Sequence, residues 1–354
     1  MTATKSYSPK KSCYSGIDFL RVLEDKKPRI YAKILGYLPN RYPLQHYEMV
    51  KDYPERQGKY LRPVLVLLAN ELFGGREDDA MLTAAAMQVS EEWILIHDDI
   101  QDHSEERRGR PCLHRIHGPE LAMNAGDTLH VIMWKMLMDN CEMLAAEKAR
   151  KIFNLMYDIL LRTCEGQYLE LSWIKNCEIE LTESEYYKMI DRKSGAYSIY
   201  GPLQLGAAVA GATDDEIKSI KKWGTPFGRA FMIHDDVLNL IGDRKAYGKE
   251  ICGDILEGKR TLVLIHLLKH CSVEEKNSVL EIYLKSRKDK TEEERNYVFR
   301  LMKDYGSIDY AHTKSLEFAE KATKIFEEKT SNLEDSFART AIKAAIDFVV
   351  SRQK

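Results

Sequence analysis

Strand signals are almost missing from this 354-residue chain. It has only ten prolines, and few Asn-Gly or Asp-Gly turns separate alternating apolar segments, which leaves little room for a sheet architecture. No apolar run approaches the roughly 20 residues of a membrane helix; the run from Val64 to Ala69, for example, is broken by polar residues within two turns. A basic excess is missing too. The 53 Lys and Arg against 55 Asp and Glu give a formal net charge of −2, which argues against a nucleic-acid partner held by a positive field. The seven cysteines (Cys13, Cys112, Cys141, Cys164, Cys177, Cys252 and Cys271) are scattered, odd in number and without a Cys-x-x-Cys pair. That pattern fits neither a disulfide framework nor a zinc site, and the expected compartment is a reducing cytoplasm. Residues 1–16 are rich in Ser, Thr, Lys and Tyr, with no apolar signal core and no Arg, and are expected to form a loose tail ahead of one domain over 17–354. No repeat of solenoid period is present.

What is present is helical. Apolar residues make up 44% of the chain and charged residues 31%, the balance of an ordinary globular protein. Apolar positions recur near a 3.6-residue period over Ala80–Ile100, Pro119–Asn140, Leu144–Trp173, Asp214–Ile241 and Gly306–Thr330. Pro226 is expected to kink the fourth of these. The charge-dense stretch Lys285–Arg300 is expected to be a solvated helix–loop–helix face. Breaks fall at Gly74-Gly75, Arg108-Gly109-Arg110-Pro111, Gly201-Pro202, Gly242 and Gly258, and none resembles an inter-domain linker. The expected architecture is all-α, a single large bundle of ten or more helices.

Two segments interrupt the apolar pattern in the same way. Ile96-His97-Asp98-Asp99-Ile100-Gln101-Asp102 and Ile233-His234-Asp235-Asp236-Val237-Leu238-Asn239 lie more than 130 residues apart. On a helix, Asp98 and Asp102 share a face, as do Asp235 and Asn239. Two carboxylates about 4 Å apart cost each other about 1 kcal/mol in water and about 4 kcal/mol at an effective dielectric of 20. A fold that gathers both clusters around one cavity needs cations to hold it. Oxygen-only ligands suit Mg²⁺ or Ca²⁺ rather than zinc, and Mg²⁺ favours few carboxylates completed by water and phosphate oxygens. His97 and His234 each precede an aspartate pair without a second His at i+4 or a Cys, so a hydrogen-bonding or packing role fits them better than a zinc ligand's.

Other polar residues break helical faces. Lys59 and Arg62, if helical, project together ahead of Val64-Leu65-Val66-Leu67-Leu68, as a phosphate-binding pair or as cations snorkelling at a helix end. Arg107 and Arg108 follow the first cluster in a Gly- and Pro-shaped loop, either as salt-bridge partners of its carboxylates or as the grip on the far side of an anion. Gln167 and Glu170 lie three apart in a helix otherwise lined by Leu and Ile, and Lys193-Ser194-Gly195 interrupts another; each is a satisfied buried polar group or part of a site. Lys249 and Lys259 flank Gly253-Asp254 after the second cluster. Gly258-Lys259 lacks the upstream spacing of a Walker motif.

Taken in order, Gly-Lys-x-x-Arg-Pro, Asp-Asp-x-x-Asp, Arg-Arg-Gly-x-Pro, Gly-Gln-x-x-Glu, Lys-Ser, Asp-Asp-x-x-Asn and Gly-Lys…Gly-Asp…Gly-Lys, the motifs from Gly58 to Thr261 resemble those of the trans-isoprenyl diphosphate synthases, the polyprenyl synthetase family. The resemblance implies a helical bundle of isoprenoid synthase type with a central apolar cavity, and an enzyme that condenses isopentenyl diphosphate with an allylic diphosphate. It implies three Mg²⁺ ions bound by Asp98, Asp102 and Asp235, with Asp99, Asp236 and Asn239 in support. It assigns Arg107, Lys193 and Lys249 to the allylic diphosphate, Lys59, Arg62 and Arg108 to isopentenyl diphosphate, Gln167 to the neighbourhood of the metals, and Lys259 to closing the site. A homodimer is also implied.

Two positions depart from the family's usual pattern. Glu91 stands seven residues before Asp98, where a His that helps hold isopentenyl diphosphate is common; an acid there repels the diphosphate unless protonated or paired with Arg62 or another cation. Met232 stands three residues before Asp235 in place of Gln. Trp93, five residues before Asp98, lies about 7.5 Å deeper along the helix. By the same resemblance it is a floor for the growing chain, with aliphatic Ile94 beside it, and the expected product is geranylgeranyl diphosphate, then farnesyl; ordinary core packing is the other reading of Trp93. The alternatives are a class I terpene cyclase, against which the second aspartate cluster and the Lys59–Arg62 pair argue, and a non-catalytic subunit of a heteromeric prenyltransferase, against which both retained clusters argue. A calcium-binding role lacks an EF-hand loop.

Overall fold

Several helices start where a polar cap precedes the apolar period. Thr182, Thr213, Ser272 and Thr291 each accept the backbone N–H three residues on, while Glu185, Glu216, Glu275 and Glu294 reach back to the cap. The computed structural model describes residues 16–242 and 250–352. Nearly all of the expected tail, and Lys249, lie outside the described residues.

The first four helices are α1 (Phe19–Leu35), α2 (Leu44–Arg56), α3 (Leu61–Leu72) and α4 (Glu77–Gln101). A two-stranded antiparallel ribbon follows, β1 (Glu106–Arg107) with β2 (Arg110–Pro111), turned by Arg108 and Gly109 at φ 53° and 73°. Next come α5 (Leu113–His117), α6 (Pro119–Met143), α7 (Ala146–Lys175) and α8 (Glu183–Ile190). Then α8 runs without a break through a π-helical segment, Asp191–Tyr200, into α9 (Gly201–Ala210), and α10 (Asp214–Ile241) continues through Pro226. The remainder is α11 (Gly253–Glu257), α12 (Leu262–His270), α13 (Val273–Leu284), α14 (Glu292–Asp304), α15 (Ser307–Lys329) and α16 (Phe337–Ser351).

Helix α3 is apolar on nearly every side and is buried accordingly, from Leu61 through Leu72. One apolar core gathers α1, α3, α4, α6, α9 and α16. A second gathers the end of α10 with α12, α13 and α14, and Met232 and Phe318 pack against both. The stretch Lys285–Arg300 is only partly the solvated face expected of it. Lys290 is buried and donates to the carbonyls of Ile255 and Leu256 at 3.1 and 2.8 Å, and Arg287 pairs with Glu250 and Glu257. Both cations are drawn inward by the C-terminal carbonyls and acids of α11.

The π segment is held at close range from two sides. A Cβ on Gly166 of α7 would lie 2.3 Å from the backbone nitrogen of Lys193, and one on Gly228 of α10 would lie 2.7 Å from Cα of Gly195. These two glycines let α7 and α10 approach the segment that carries Lys193. Gly166→Ala is therefore expected to destabilise the chain by about 1–3 kcal/mol, as overpacking does, measured by thermal or denaturant unfolding; an unchanged transition contradicts the close-packing account.

Candidate active site

A cavity of about 460 Å³ opens where the end of α4, the middle of α7, the π segment and the second half of α10 face one another. Asp98, Asp235 and Asp236 all line it, so the two aspartate clusters converge on one hollow. Its remaining lining is of two kinds. Arg62, Glu91, Gln167, Glu170, Lys193, Asp254 and Lys259 are polar, whereas Trp93, Ile94, Leu95, Leu160, Leu171, Phe231 and Met232 are apolar.

The first cluster sits at the carboxyl end of α4, with Asp102 as its C-cap. Asp98 accepts from Gln167 Nε2 at 3.2 Å and lies 3.7 Å from Lys193 Nζ. Asp99 turns away from the cavity and is fully buried. It accepts from Tyr53 Oη at 2.6 Å and from Arg107 Nε at 2.9 and 3.0 Å. Asp102 lies 3.0 Å from Lys259 Nζ, which is also paired with Glu257 at 2.7 Å and Asp254 at 3.4 Å.

The second cluster is on α10. Arg352, just past α16, donates to Asp235 at 2.9 Å, and its carbonyl lies 2.9 Å from Nε2 of His234. Asp236 accepts from Tyr186 Oη at 2.7 Å. Asn239 is buried and accepts from the backbone N–H of Asp254 at 3.1 Å, which fixes the start of α11 rather than facing the main cavity. Neither histidine is placed as a zinc ligand: His97 faces the Met123 carbonyl at 3.3 Å, and burial lowers the basicity of His234.

Two expectations need correction. Lys59 and Arg62 do not share a helical face. Tyr60 takes a left-handed conformation (φ 62°) and α3 starts only at Leu61, leaving Lys59 exposed ahead of the helix and outside the cavity lining. Arg107 does not face the cavity as a free anion grip. The β1–β2 turn folds its guanidinium back onto Asp99, where it is 5% exposed, so the salt-bridge reading is the one the geometry has. Gln167 and Glu170 are each hydrogen-bonded and each line the cavity; Glu170 accepts from Lys193.

Arg62 reaches the cavity wall and meets the acid expected to trouble it. Its guanidinium lies 3.2 Å from Glu91, donates to Ser198 Oγ at 2.7 Å and covers the Tyr197 ring at 4.7 Å. Arg108 lies 3.6 Å from the same Glu91 oxygen but is anchored by fully buried Glu92 at 2.8 Å and by the Tyr53 carbonyl at 2.9 Å. Trp93 lies tilted against His130 of α6 at 4.7 Å and meets His97 edge-on at 5.5 Å. Trp134 donates to His130 at 2.8 Å, so a ladder of rings backs the wall that Trp93 presents.

Charge sets the character of the site. Six carboxylates (Glu91, Asp98, Glu170, Asp235, Asp236 and Asp254) line the cavity against three cations (Arg62, Lys193 and Lys259). Burial, reinforced by neighbouring Asp98 and only partly offset by Lys259, pushes the Asp102 carboxyl up to about 7. Burial, with Asp254 nearby, pushes Asp236 well above the usual carboxylate range. Glu170 and Asp98 hold Lys193 firmly protonated despite its burial.

The sequence pointed to the aspartates, to Lys193 and to Lys259, but not to Tyr53, Tyr186, Arg352 or Ser198, which lie far along the chain from the groups they hold. The polyprenyl synthetase family profile matches residues 44–302. A geranylgeranyl diphosphate synthase of Sulfolobus acidocaldarius is 31% identical over 336 residues, covering 95% of this chain and 98% of that protein. A short chain isoprenyl diphosphate synthase of Methanothermobacter thermautotrophicus is 34% identical over 296 residues, covering 84% of this chain and 87% of that protein. The crystal structure of geranylgeranyl pyrophosphate synthetase from Pyrococcus horikoshii superposes with a TM-score of 0.82 at 33% identity, covering 94% of this chain and 98% of that one. With its fold and most of its length matched, this chain belongs to the polyprenyl synthetase family.

Proposed function

We propose that this trans-prenyltransferase joins isopentenyl diphosphate to an allylic diphosphate in the cavity between α4 and α10, with geranylgeranyl diphosphate as its main product and farnesyl diphosphate next. The observation that carries the reading is the convergence of Asp98, Asp235 and Asp236 on one hollow whose other wall is apolar.

The donor set fits Mg²⁺. It is all oxygen and crowded, with six carboxylates against three cations in the lining. Among the described residues no three His, Cys, Asp or Glu side chains converge to hold an ion by themselves. Ions here would complete their shells with water and diphosphate oxygens, the coordination Mg²⁺ favours. Asp98, Asp102 and Asp235 would hold them, three in number by the family's pattern, and they would supply positive charge to the departing diphosphate.

The chain's own residues account for the rest. Lys193 is a permanent cation beside Asp98, directed at the charge that develops as the allylic carbon–oxygen bond breaks. The isopentenyl double bond attacks the allylic carbon, a carbon–carbon bond forms, a proton leaves the adjacent carbon, and the released diphosphate is the base within reach. Leu95, Leu160, Phe231 and Met232 exclude the water that would trap the cation. Trp93, held by His130 and Trp134, limits the length of the tail. We propose a homodimer through α6 and α7: Phe153, Tyr157, Leu161 and Tyr168 form an exposed stripe at helical spacing on α7, beside Val131 and Met138 on α6. A cytoplasmic location fits the scattered thiols; among the described residues no helix is long and apolar enough to cross a membrane.

Incubating the chain with Mg²⁺, isopentenyl diphosphate and each allylic primer should give a twenty-carbon diphosphate. Hydrocarbon released from allylic diphosphate alone would instead mark a cyclase. Trp93→Ala should lengthen the product by one or more five-carbon units, and unchanged lengths would remove Trp93 from the floor. Tyr157→Asp should shift the sedimenting species from dimer to monomer, and a parent that sediments as a monomer would sink the proposed interface.

A carboxyl raised from about 4 to about 7 binds its proton more tightly in the folded chain. Its stabilising contribution is present below about pH 4 and is lost as the pH rises towards 7. In metal-free buffer Asp102→Asn should therefore melt above the parent at pH 7.5, with the gap closing towards pH 4. Mg²⁺ with diphosphate should stabilise the parent more than the variant. A variant that melts below the parent at pH 7.5 without metal contradicts this.

A further inference from the structure

Glu91 and Glu92 are consecutive acids on α4, yet they stand in different surroundings. Glu92 is fully enclosed, accepts from Gln88 at 2.7 Å and grips Arg108 with both oxygens, at 2.8 and 3.3 Å. Glu91 lines the cavity, and a single oxygen serves both Arg62 (3.2 Å) and Arg108 (3.6 Å). Its second oxygen is buried with no hydrogen-bond partner among the described residues, and the same holds for Nε of Arg62. The pair is thus charge-neutralised but not hydrogen-bond-satisfied. A buried acceptor and a buried donor left unmet in one cluster mark an arrangement whose bonds are not at their best.

We propose that Glu91 is a specificity-determining residue for the isopentenyl substrate: its carboxylate is the resident anion of the Arg62–Arg108 pair, and the substrate's diphosphate binds by displacing it. The inference rests on the reading of Arg62 and Arg108 as the isopentenyl diphosphate grip. Both arginines keep an anchor when Glu91 leaves. Arg62 retains Ser198 and the face of Tyr197, and Arg108 retains Glu92 and the Tyr53 carbonyl. Glu91 is the one acid of the group that borders open space and can swing away. Exchanging an internal carboxylate for an incoming diphosphate leaves the charge on the arginines compensated throughout. It also makes the chain's affinity for the isopentenyl substrate lower than the two arginines alone would give, because part of their attraction is already engaged. The allylic substrate, held beside the aspartates, is not subject to this competition.

The test is calorimetric binding of isopentenyl diphosphate to the full chain without divalent ions, which isolates this site from the aspartates, followed by steady-state kinetics with Mg²⁺. Glu91→Gln keeps the shape and removes the charge. It should tighten isopentenyl diphosphate binding about tenfold and lower the KM for that substrate in parallel, with the allylic KM within twofold of the parent. The gain should vanish in an Arg62→Gln background, because the arginine is then no longer there to be released. Binding that is unchanged or weakened in Glu91→Gln, or a gain that persists without Arg62, overturns the proposal. Glu91→Ser serves as the second variant; if neither folds by thermal melting, Glu91 is needed for assembly rather than exchange, and the proposal falls. A parent chain that condenses no isopentenyl diphosphate with any allylic primer instead refutes the underlying function.

Discussion

The structure depends on one electrostatic constraint: six carboxylates line the cavity between α4 and α10 against three cations. Each aspartate of the two clusters is tied to a polar side chain. Asp99 has Arg107 and Tyr53, Asp102 has Lys259, Asp235 has Arg352, and Asp236 has Tyr186. Even so, Asp102 and Asp236 remain uneasy as anions. A negative hollow is unfavourable for stability and well suited to recruiting cations that bring a polyphosphate with them. The surrounding architecture serves this arrangement. The β1–β2 ribbon returns Arg107 to Asp99, the turn after α11 presents Lys259 beside Asp102, and the end of α16 delivers Arg352 to Asp235.

The π segment is the second device. Widening the helix over Asp191–Tyr200 brings Lys193, Ser194 and Tyr197 to the cavity wall and Ser198 to Arg62. Such segments are rare and concentrate at functional sites. This one is sustained by close packing from both sides at Gly166 and Gly228. Lys193 thereby holds its place between Glu170 and Asp98 without the freedom of a loop, which suits the role proposed for it.

Long elements were legible in the sequence because local and global signals agree there. The helix Asp214–Ile241 has a capping box at Thr213, a steady apolar period and a stop at Gly242, and its expected bounds are those of the structure. The convergence of the aspartate clusters was legible because two closely similar interruptions of apolar helices have few other uses. The partners were not legible. Tyr53 reaches Asp99 across 46 residues, Tyr186 reaches Asp236 across 50, and Arg352 reaches Asp235 across 117, separations set by helix packing alone. The Lys59–Arg62 pairing failed for a local reason, since a left-handed tyrosine, which propensity does not anticipate, delays the helix. Glu91 is the mixed case. Its conflict with a diphosphate and its candidate partner Arg62 were visible in the sequence, and the second arginine, Arg108, became visible only in three dimensions.

The central claim is that ions held jointly by the two clusters contact the diphosphate itself. Electron–nuclear double resonance on the chain loaded with Mn²⁺ and a non-ionising thiolo analogue of an allylic diphosphate measures this directly. The account predicts a phosphorus-31 coupling to bound Mn²⁺ that is lost when either Asp98 or Asp235 is changed to Asn. Mn²⁺ that binds without phosphorus coupling, or a coupling indifferent to one of the two clusters, would contradict it.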